Sequence, residues 1–427
     1  MPMTLAEKIL ARASGLKEVA PGDYVTAKID VAMAHEGAAW VIDELNRAGI
    51  DRVWDPERIV IMFDHWAPAP TELTAMMHKK VREFVKRHGI KHFYDIKKGI
   101  CHQIMPELGH VRPGELIVGT DSHTTTYGAF GAGGTGIGTT DMAVVWATGE
   151  LWFRVPESIK FYIVGRLPKY VMSKDVILYI AGKYGTEVAQ YKSVEFEGPT
   201  VRDMSIASRM TLSNMAMEIG AKFALIAPDE KTIEYVKSRT TKPFTPLYPD
   251  PDATYEKVYE VDVSNLEPQV AFPHSVGNVK PISKAEGIKI DQAFLGSCTN
   301  GRFEDLAAAA EILRGRKVHP DVRMIVVPAS VEVYLEALKA GIIEVFLKAG
   351  AVVCNPTCGP CMGTHLGLLA EGERCISSSN RNFKGRMGSP KAEIYLASPY
   401  VVAASAVTGE ITDPRKLMEG GSHDVKS

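Results

Sequence analysis

Short, wholly apolar runs alternate along the chain with segments whose apolar residues recur every three or four positions. Residues 58–63 (Arg-Ile-Val-Ile-Met-Phe) read as a buried strand, and residues 72–87 as the helix that follows it. Residues 115–119 predict another strand, then a glycine-rich loop and a helix over about 141–153. Composition shifts after Val155-Pro156. Beyond it, 159–164 and 223–226 read as strands, and 173–183 and 204–220 as helices. Residues 265–284 carry Pro268, Pro273, Gly277 and Pro281 without clear periodicity, which predicts an inter-domain linker. A third block opens at 288–295 and continues with strands near 324–327, 351–354, 375–378 and 393–396. The polar tail 420–427 is expected to be disordered. Strands and helices that alternate in this way predict three α/β domains with mostly parallel sheets, over residues 1–156, 157–275 and 276–427.

Polar clusters follow the predicted strands at their C-terminal ends. Asp64-His65 comes after 59–63, Asp121-Ser122-His123 after 116–119, Ser297-Cys298-Thr299-Asn300 after 293–295, and Asn380-Arg381 after 376–378. Ligands bind at that edge of a parallel α/β sheet, so these clusters predict one site at a central cleft between domains.

Composition narrows the function classes. Lys plus Arg number 49 and Asp plus Glu 51, a formal charge of −2, which gives no reason to expect a nucleic-acid or anionic-membrane partner. The apolar run of residues 142–153 is broken by Glu150, and no run reaches the roughly 18–20 residues that span a bilayer. Thr4 and Glu7 stand in capping-box spacing, so the N-terminus reads as a helix start and not as a signal peptide. A cytoplasmic protein is expected. Its six cysteines are too sparse for a disulfide scaffold, and three of them cluster, which favours metal or redox chemistry.

Cys358-Gly-Pro-Cys361 is a C-x-x-C pair, and Cys298 lies upstream in a similar loop setting. The spacing alone leaves an iron–sulfur cluster, a zinc site and inert buried thiols open. Cys101, Cys354 and Cys375 read as small buried hydrophobes. Gly131-x-Gly133-x-x-Gly136 matches a dinucleotide fingerprint literally, but it does not leave a strand directly; a tight backbone turn beside the site is the plainer reading. Asp64-His65 and Asp121 with His123 place carboxylates beside imidazoles, an arrangement that raises imidazole basicity and suits a general acid. Residues 381–386 hold Arg381, Lys384 and Arg386, either a solvated loop or, beside a metal, a carboxylate clamp. Asn214 and Glu218 are spaced to share one face of the 204–220 helix.

Six ordered motifs together resemble the aconitase superfamily over essentially the whole chain. They are Phe63-Asp-His65, Gly119-Thr-Asp-Ser-His123, Asn214-Met-Ala-Met-Glu218, Gly296-Ser-Cys-Thr-Asn300, Cys358-Gly-Pro-Cys361 and Ser379-Asn-Arg-Asn-Phe-Lys-Gly-Arg386. The similarity is greatest to the large-subunit branch of archaeal-type isopropylmalate and homoaconitate enzymes. His35, in Ala34-His-Glu36, stands where aconitases proper carry glutamine, and it resembles that branch.

The resemblance implies a [4Fe–4S] cluster held by Cys298, Cys358 and Cys361, with one iron not bound by cysteine and left to the substrate. It implies a hydro-lyase that isomerises a 2-hydroxy acid to a 3-hydroxy acid by dehydration and rehydration, in leucine biosynthesis or with a homoaconitate or citramalate substrate. Asp64 and His65 would handle the proton on the departing hydroxyl, and Asp121, Ser122, His123 and His35 would line the site. Glu218 would contact the water or hydroxyl, Asn214 and Asn380 the cluster sulfurs, and Arg381 and Arg386 the carboxylates of a di- or tricarboxylate substrate. Single-chain aconitases continue into a swivelling fourth domain that supplies the base. The resemblance implies that a separate small subunit brings it here. An RNA-binding regulator, a role some relatives adopt, is disfavoured by the near-neutral charge.

Overall fold

The structure is a computed structural model that describes residues 1–419; the tail 420–427 lies outside the described residues. The chain forms two compact units. One comprises Met1–Val164 with Glu187–Val261, the other Gly165–Thr186 with the chain from Asp262 onward.

The first unit opens as its sequence predicts. Thr4 and Glu7 cap the helix Leu5–Ser14 reciprocally, with the Glu7 carboxylate accepting from the Thr4 N–H at 2.6 Å. A five-stranded sheet follows, in spatial order His92–Tyr94, Ile59–Met62, Val31–Ala34, Leu116–Gly119 and Gly133–Gly136. Every neighbouring pair in it is parallel. Val31–Ala34, Ile59–Met62 and Leu116–Gly119 are buried at every position, which explains their uninterrupted apolar runs. The helices Ala38–Arg47, Glu72–His88 and Cys101–Glu107 connect these strands, and Thr139–Thr148 follows the last of them. A second, four-stranded sheet has the order Phe223–Leu225, Ser193–Glu197, Ser158–Val164, Lys257–Asp262.

Two sequence expectations change here. The predicted helix over 141–153 stops at Thr148, because Gly149 takes a left-handed conformation and closes it with an N–H bond to the Val145 carbonyl. Glu150–Arg154 is then a strand, antiparallel to Tyr24–Lys28, and its alternating exposure matches that period. The glycine run, expected as a tight turn, is in part a strand. Gly133–Gly136 is the edge strand of the sheet, and the 3-10 helix Ser122–Phe130 precedes it. Gly128 shows why side chains are excluded: a Cβ there would stand 1.7 Å from the Ala224 carbonyl oxygen.

The second unit is built on a seven-stranded sheet. Its order is Val279–Pro281, Gln269–Ala271, Glu393–Leu396, Arg374–Ser377, Gln292–Leu295, Arg323–Val326, Val352–Val353. The last five are mutually parallel, and Gln269–Ala271 runs antiparallel to both of its neighbours. Residues 265–284, expected as a linker, therefore contribute two strands. Their prolines hid the pattern. Pro281 lies on the edge strand, where a missing N–H breaks no ladder bond. The helix Ser173–Tyr184 joins this unit through its Asp175, whose carboxylate accepts the Gln269 N–H at 2.8 Å.

The close approach at Gly128 is directly testable. Gly128→Ala should cost about 3 kcal/mol or more by overpacking against fixed backbone. Gly138→Ala, with nothing within 4 Å of its Cβ, should cost under about 1 kcal/mol. Denaturant unfolding of the two variants reads the difference.

Candidate functional site

In the first unit, three parallel strands end at the same sheet edge. Val31–Ala34 leads into His35-Glu36, Ile59–Met62 into Phe63-Asp64-His65, and Leu116–Gly119 into Asp121-Ser122-His123. The edge strips these residues of ladder partners, and their side chains bond one another instead. His65 Nδ1 lies 2.7 Å from Asp64 Oδ1, and its Nε2 lies 3.5 Å from Asp121 Oδ2. The other Asp64 oxygen accepts the Cys101 N–H at 2.7 Å. Asp121 Oδ1 is 2.7 Å from His102 Nε2 and accepts the His123 backbone N–H at 2.8 Å. His123 Nε2 in turn is 2.7 Å from Glu218 Oε1. The His35 ring stacks on His65 with centroids 4.4 Å apart. Ser122 lines a cavity of about 560 Å³ together with Asp121.

This array sets protonation by position. Burial works against a charged His65, but Asp64 and Asp121 outweigh it and hold the imidazolium well above its ordinary pKa. Burial likewise disfavours the Asp121 anion, and the hydrogen bonds from His102, His123 and His65 outweigh it, keeping this carboxyl well below the usual range. His35 is pushed down by burial and by the charge on His65; burial also lowers His102, with Asp121 countering in part. The result is one protonated imidazole between two carboxylates, with neutral rings at its flanks.

Glu218 and Asn214 reach the array differently from the helix expected over 204–220. The α-helix spans Ile206–Met215, and Ala216–Ile219 tightens into one 3-10 turn. Glu218 therefore leaves the regular helical face and meets His123, while Asn214 donates to Thr126 Oγ1 at 2.9 Å. Thr126 donates onward to the His123 carbonyl at 2.6 Å.

Three groups in this array escaped the sequence reading. Glu36 is fully buried and accepts the backbone N–H groups of His65 (3.2 Å) and Trp66 (2.9 Å), which fixes the turn that carries His65. His102 orients Asp121, and Tyr127 lies 3.2 Å from its other ring nitrogen. The adjacency of Glu36 to His35 was a usable signal; His102 sits on the short helix Cys101–Glu107, which no periodicity marked. His35, His65 and Asp121, and also Glu36, Asp64 and His65, bring metal-capable atoms within 4.8 Å of one another. Their donor atoms are already engaged with each other and with backbone N–H groups, including that of Gly37 on His35 Nδ1, so they form one hydrogen-bonded array.

The second unit gathers the cysteines. Cys298 lies in the short helical turn Ser297–Asn300, just past Gln292–Leu295. Ser297 enters this turn at φ 70°, a left-handed conformation that costs an L-residue about 1–2 kcal/mol. Arg302 clamps it by donating to the carbonyls of Cys298 and Thr299. Cys358 caps the 3-10 turn Gly359–Met362, which contains Cys361. Cys298, Cys358 and Cys361 are all buried. Asn380 bridges two of them, donating to Cys298 Sγ at 3.6 Å and accepting from Cys361 Sγ at 3.3 Å. Among the described residues no cysteine belongs to a metal-capable set within 4.8 Å.

Asn382 anchors the 381–386 loop by donating to the Phe272 carbonyl at 2.8 Å, and Arg381 and Arg386 are part-exposed on it. Cys101 and Cys375 are buried thiols, and burial pushes Cys375 up to about 12. Cys354 departs from the expectation in being only part-buried.

The imidazolium reading predicts a titration. The raised folded pKa of His65 means its stabilisation is complete below the unfolded value near 6.5 and is lost only as pH rises through the folded value. In a histidine NMR titration, the His65 midpoint should lie above that of a free imidazole. Asp121→Asn should bring its midpoint down by about one pH unit or more. A His65 that titrates near 6.5 in both proteins would contradict the array.

Comparison with known proteins agrees with this geometry. The model of the aconitase family (aconitate hydratase) matches residues 7–287 and 278–409. The 3-isopropylmalate dehydratase large subunit 1 of Methanopyrus kandleri is 57% identical over 98% of this chain and 100% of its own length. The 3-isopropylmalate dehydratase large subunit of Aquifex aeolicus is 55% identical over 98% of each chain. A probable methanogen homoaconitase large subunit of Methanothermobacter thermautotrophicus is 52% identical over 98% of this chain and 99% of its own. With matches that run almost end to end, and with the motif residues gathered at two parallel-sheet edges, the chain belongs to the aconitase family.

Proposed function

We propose that this chain is the large subunit of a two-subunit hydro-lyase that interconverts a 2-hydroxy and a 3-hydroxy acid by removing and re-adding water. The observation that carries the reading is His65, an imidazolium locked between Asp64 and Asp121. Expelling hydroxide from an unactivated carbon needs an acid that stays charged at neutral pH until the oxygen departs. The substrate favoured is 3-isopropylmalate, the reaction of relatives at 55–57% identity; homocitrate-type acids follow, from the 52% relative. Citramalate is a further candidate from the sequence resemblance.

The donor set fits the cofactor that the family implies. Cys298, Cys358 and Cys361 would hold a [4Fe–4S] cluster with one iron not bound by cysteine, and Asn380 already bonds two of these sulfurs. When bound, such a cluster supplies a Lewis acid for the substrate's hydroxyl and carboxylate oxygens. The protein's own residues do the rest. His65 gives its Nε2 proton to the leaving oxygen, and Asp64 holds the ring in place throughout. Asp121, fixed by His102 and His123, keeps the ring basic enough to take the proton back when water re-adds. The Glu218–His123 pair orients the water or hydroxyl. Ser122 and His35 line the substrate's path, and Arg381 and Arg386 clamp carboxylates bidentately. Asn214 steadies the His123 turn through Thr126 and is assigned to cluster sulfur by resemblance. The base that removes the proton next to the carboxylate comes from a small subunit with the swivelling domain. The six free thiols suit the reducing cytoplasm.

The test is co-expression with a small subunit under anaerobic conditions, followed by iron and sulfide analysis and assay against isopropylmalate, homocitrate and citramalate. Cys298→Ser should lose cluster and turnover together; full iron and sulfide in that variant would contradict the ligand assignment. His65→Asn should keep the cluster and lose about 10²–10⁴ in kcat. A colourless wild-type protein that holds zinc and no iron would remove the reading.

A further inference from the structure

Lys174 has no exposed surface. A buried ammonium is tolerated only where hydrogen bonds replace its water. Its Nζ donates to two successive carbonyls, Ser378 at 2.7 Å and Ser379 at 2.6 Å. These carbonyls end the strand Arg374–Ser377 and lead directly into Asn380, the residue that bonds Cys298 and Cys361. The Ser378 hydroxyl also accepts the Gly296 N–H at 3.0 Å, so the same loop is tied to the turn that presents Cys298.

The helix that delivers Lys174 is itself fixed at this end. Asp175 accepts the Met172 N–H and the Gln269 N–H, both at 2.8 Å, which pins the first turn of Ser173–Tyr184 to the sheet. Burial disfavours the charged Lys174 amine and lowers its pKa to about 7, and Cys361, Asp175, Asp305 and Cys298 nearby act in the opposite direction. Asp305 is engaged by Asn300 at 2.8 Å and by the Arg302 N–H at 3.0 Å, next to the Cys298 turn. Neither the sequence motifs nor the proton-handling array uses Lys174.

We propose that Lys174 is a positioning residue for the cluster thiolates: it holds the Ser378–Ser379 backbone so that Asn380 meets the sulfurs. The proposal rests on the cluster reading above. Second-sphere partners of metal ligands set affinity in this way, because they fix donor orientation and offset donor charge.

The full chain is reconstituted anaerobically with iron and sulfide, and two properties are read. One is the rate at which ferrozine removes iron; the other is the EPR spectrum of the oxidised three-iron form. Lys174→Met, checked for folding by circular dichroism, should release iron about 10-fold faster or more and shift the EPR g-values. Lys174→Arg, which keeps the charge, should recover most of both. In an Asn380→Ala background, Lys174→Met should add little, since it acts through Asn380. A folded Lys174→Met with wild-type iron release and spectrum would overturn the proposal, as would effects that multiply fully with those of Asn380→Ala. Should Lys174→Met fail to fold, Lys174→Gln replaces it with the same two outcomes. Wild-type chain that takes up no cluster would remove the underlying reading instead.

Discussion

Strands of a parallel sheet all point their carboxyl ends to one edge, and the backbone there has no further ladder to join. Each unit of this protein uses that edge for its reactive groups. In the first, adjacent strands release His35, His65 and Asp121 side by side. In the second, neighbouring parallel strands release Cys298 and Asn380. A single register therefore brings together residues far apart in sequence. Had these strands been antiparallel, neighbouring strand ends would have pointed to opposite edges and each cluster would have been divided.

Burial then makes each group depend on its neighbours. Asp121 stays ionised because His102, His123 and His65 donate to it, and His65 stays protonated because Asp64 and Asp121 flank it. Removing one partner leaves the others as uncompensated buried charge. The cysteine turn follows the same rule with backbone in place of carboxylates. Arg302 and Lys174 donate to carbonyls just past the strands that lead to Cys298 and Asn380. One arrangement sets an imidazole between two carboxylates; the other holds backbone still.

What was legible in the sequence was whatever burial writes as composition. Strands such as Ile59–Met62 and Leu116–Gly119 are buried on both faces and read as apolar runs. The polar residues after them stand out by contrast, so His65, Asp121, Cys298 and Asn380 were visible. Features set by backbone approach were not. Gly133–Gly136 carries one side chain, Thr135, too few to show a strand period, and close approaches such as Gly128 to the Ala224 carbonyl and Gly134 to the Thr124 carbonyl explain the glycines. Gln269–Ala271 and Val279–Pro281 are too short and too proline-flanked to show alternation, so they read as a linker. Glu36, His102 and Lys174 act through hydrogen bonds to residues distant in the chain, and no local spacing encodes such partners.

The central claim is that three thiolates hold a cluster whose remaining iron is free to meet a hydroxy acid. Mössbauer spectroscopy of the chain reconstituted with iron-57, with and without its small subunit and 3-isopropylmalate, tests it most directly. The account predicts that one iron of the cluster changes its isomer shift when substrate is added to the assembled enzyme, while the others keep theirs. A cluster whose irons are all indifferent to isopropylmalate, homocitrate and citramalate, in a preparation that turns one of them over, would contradict it.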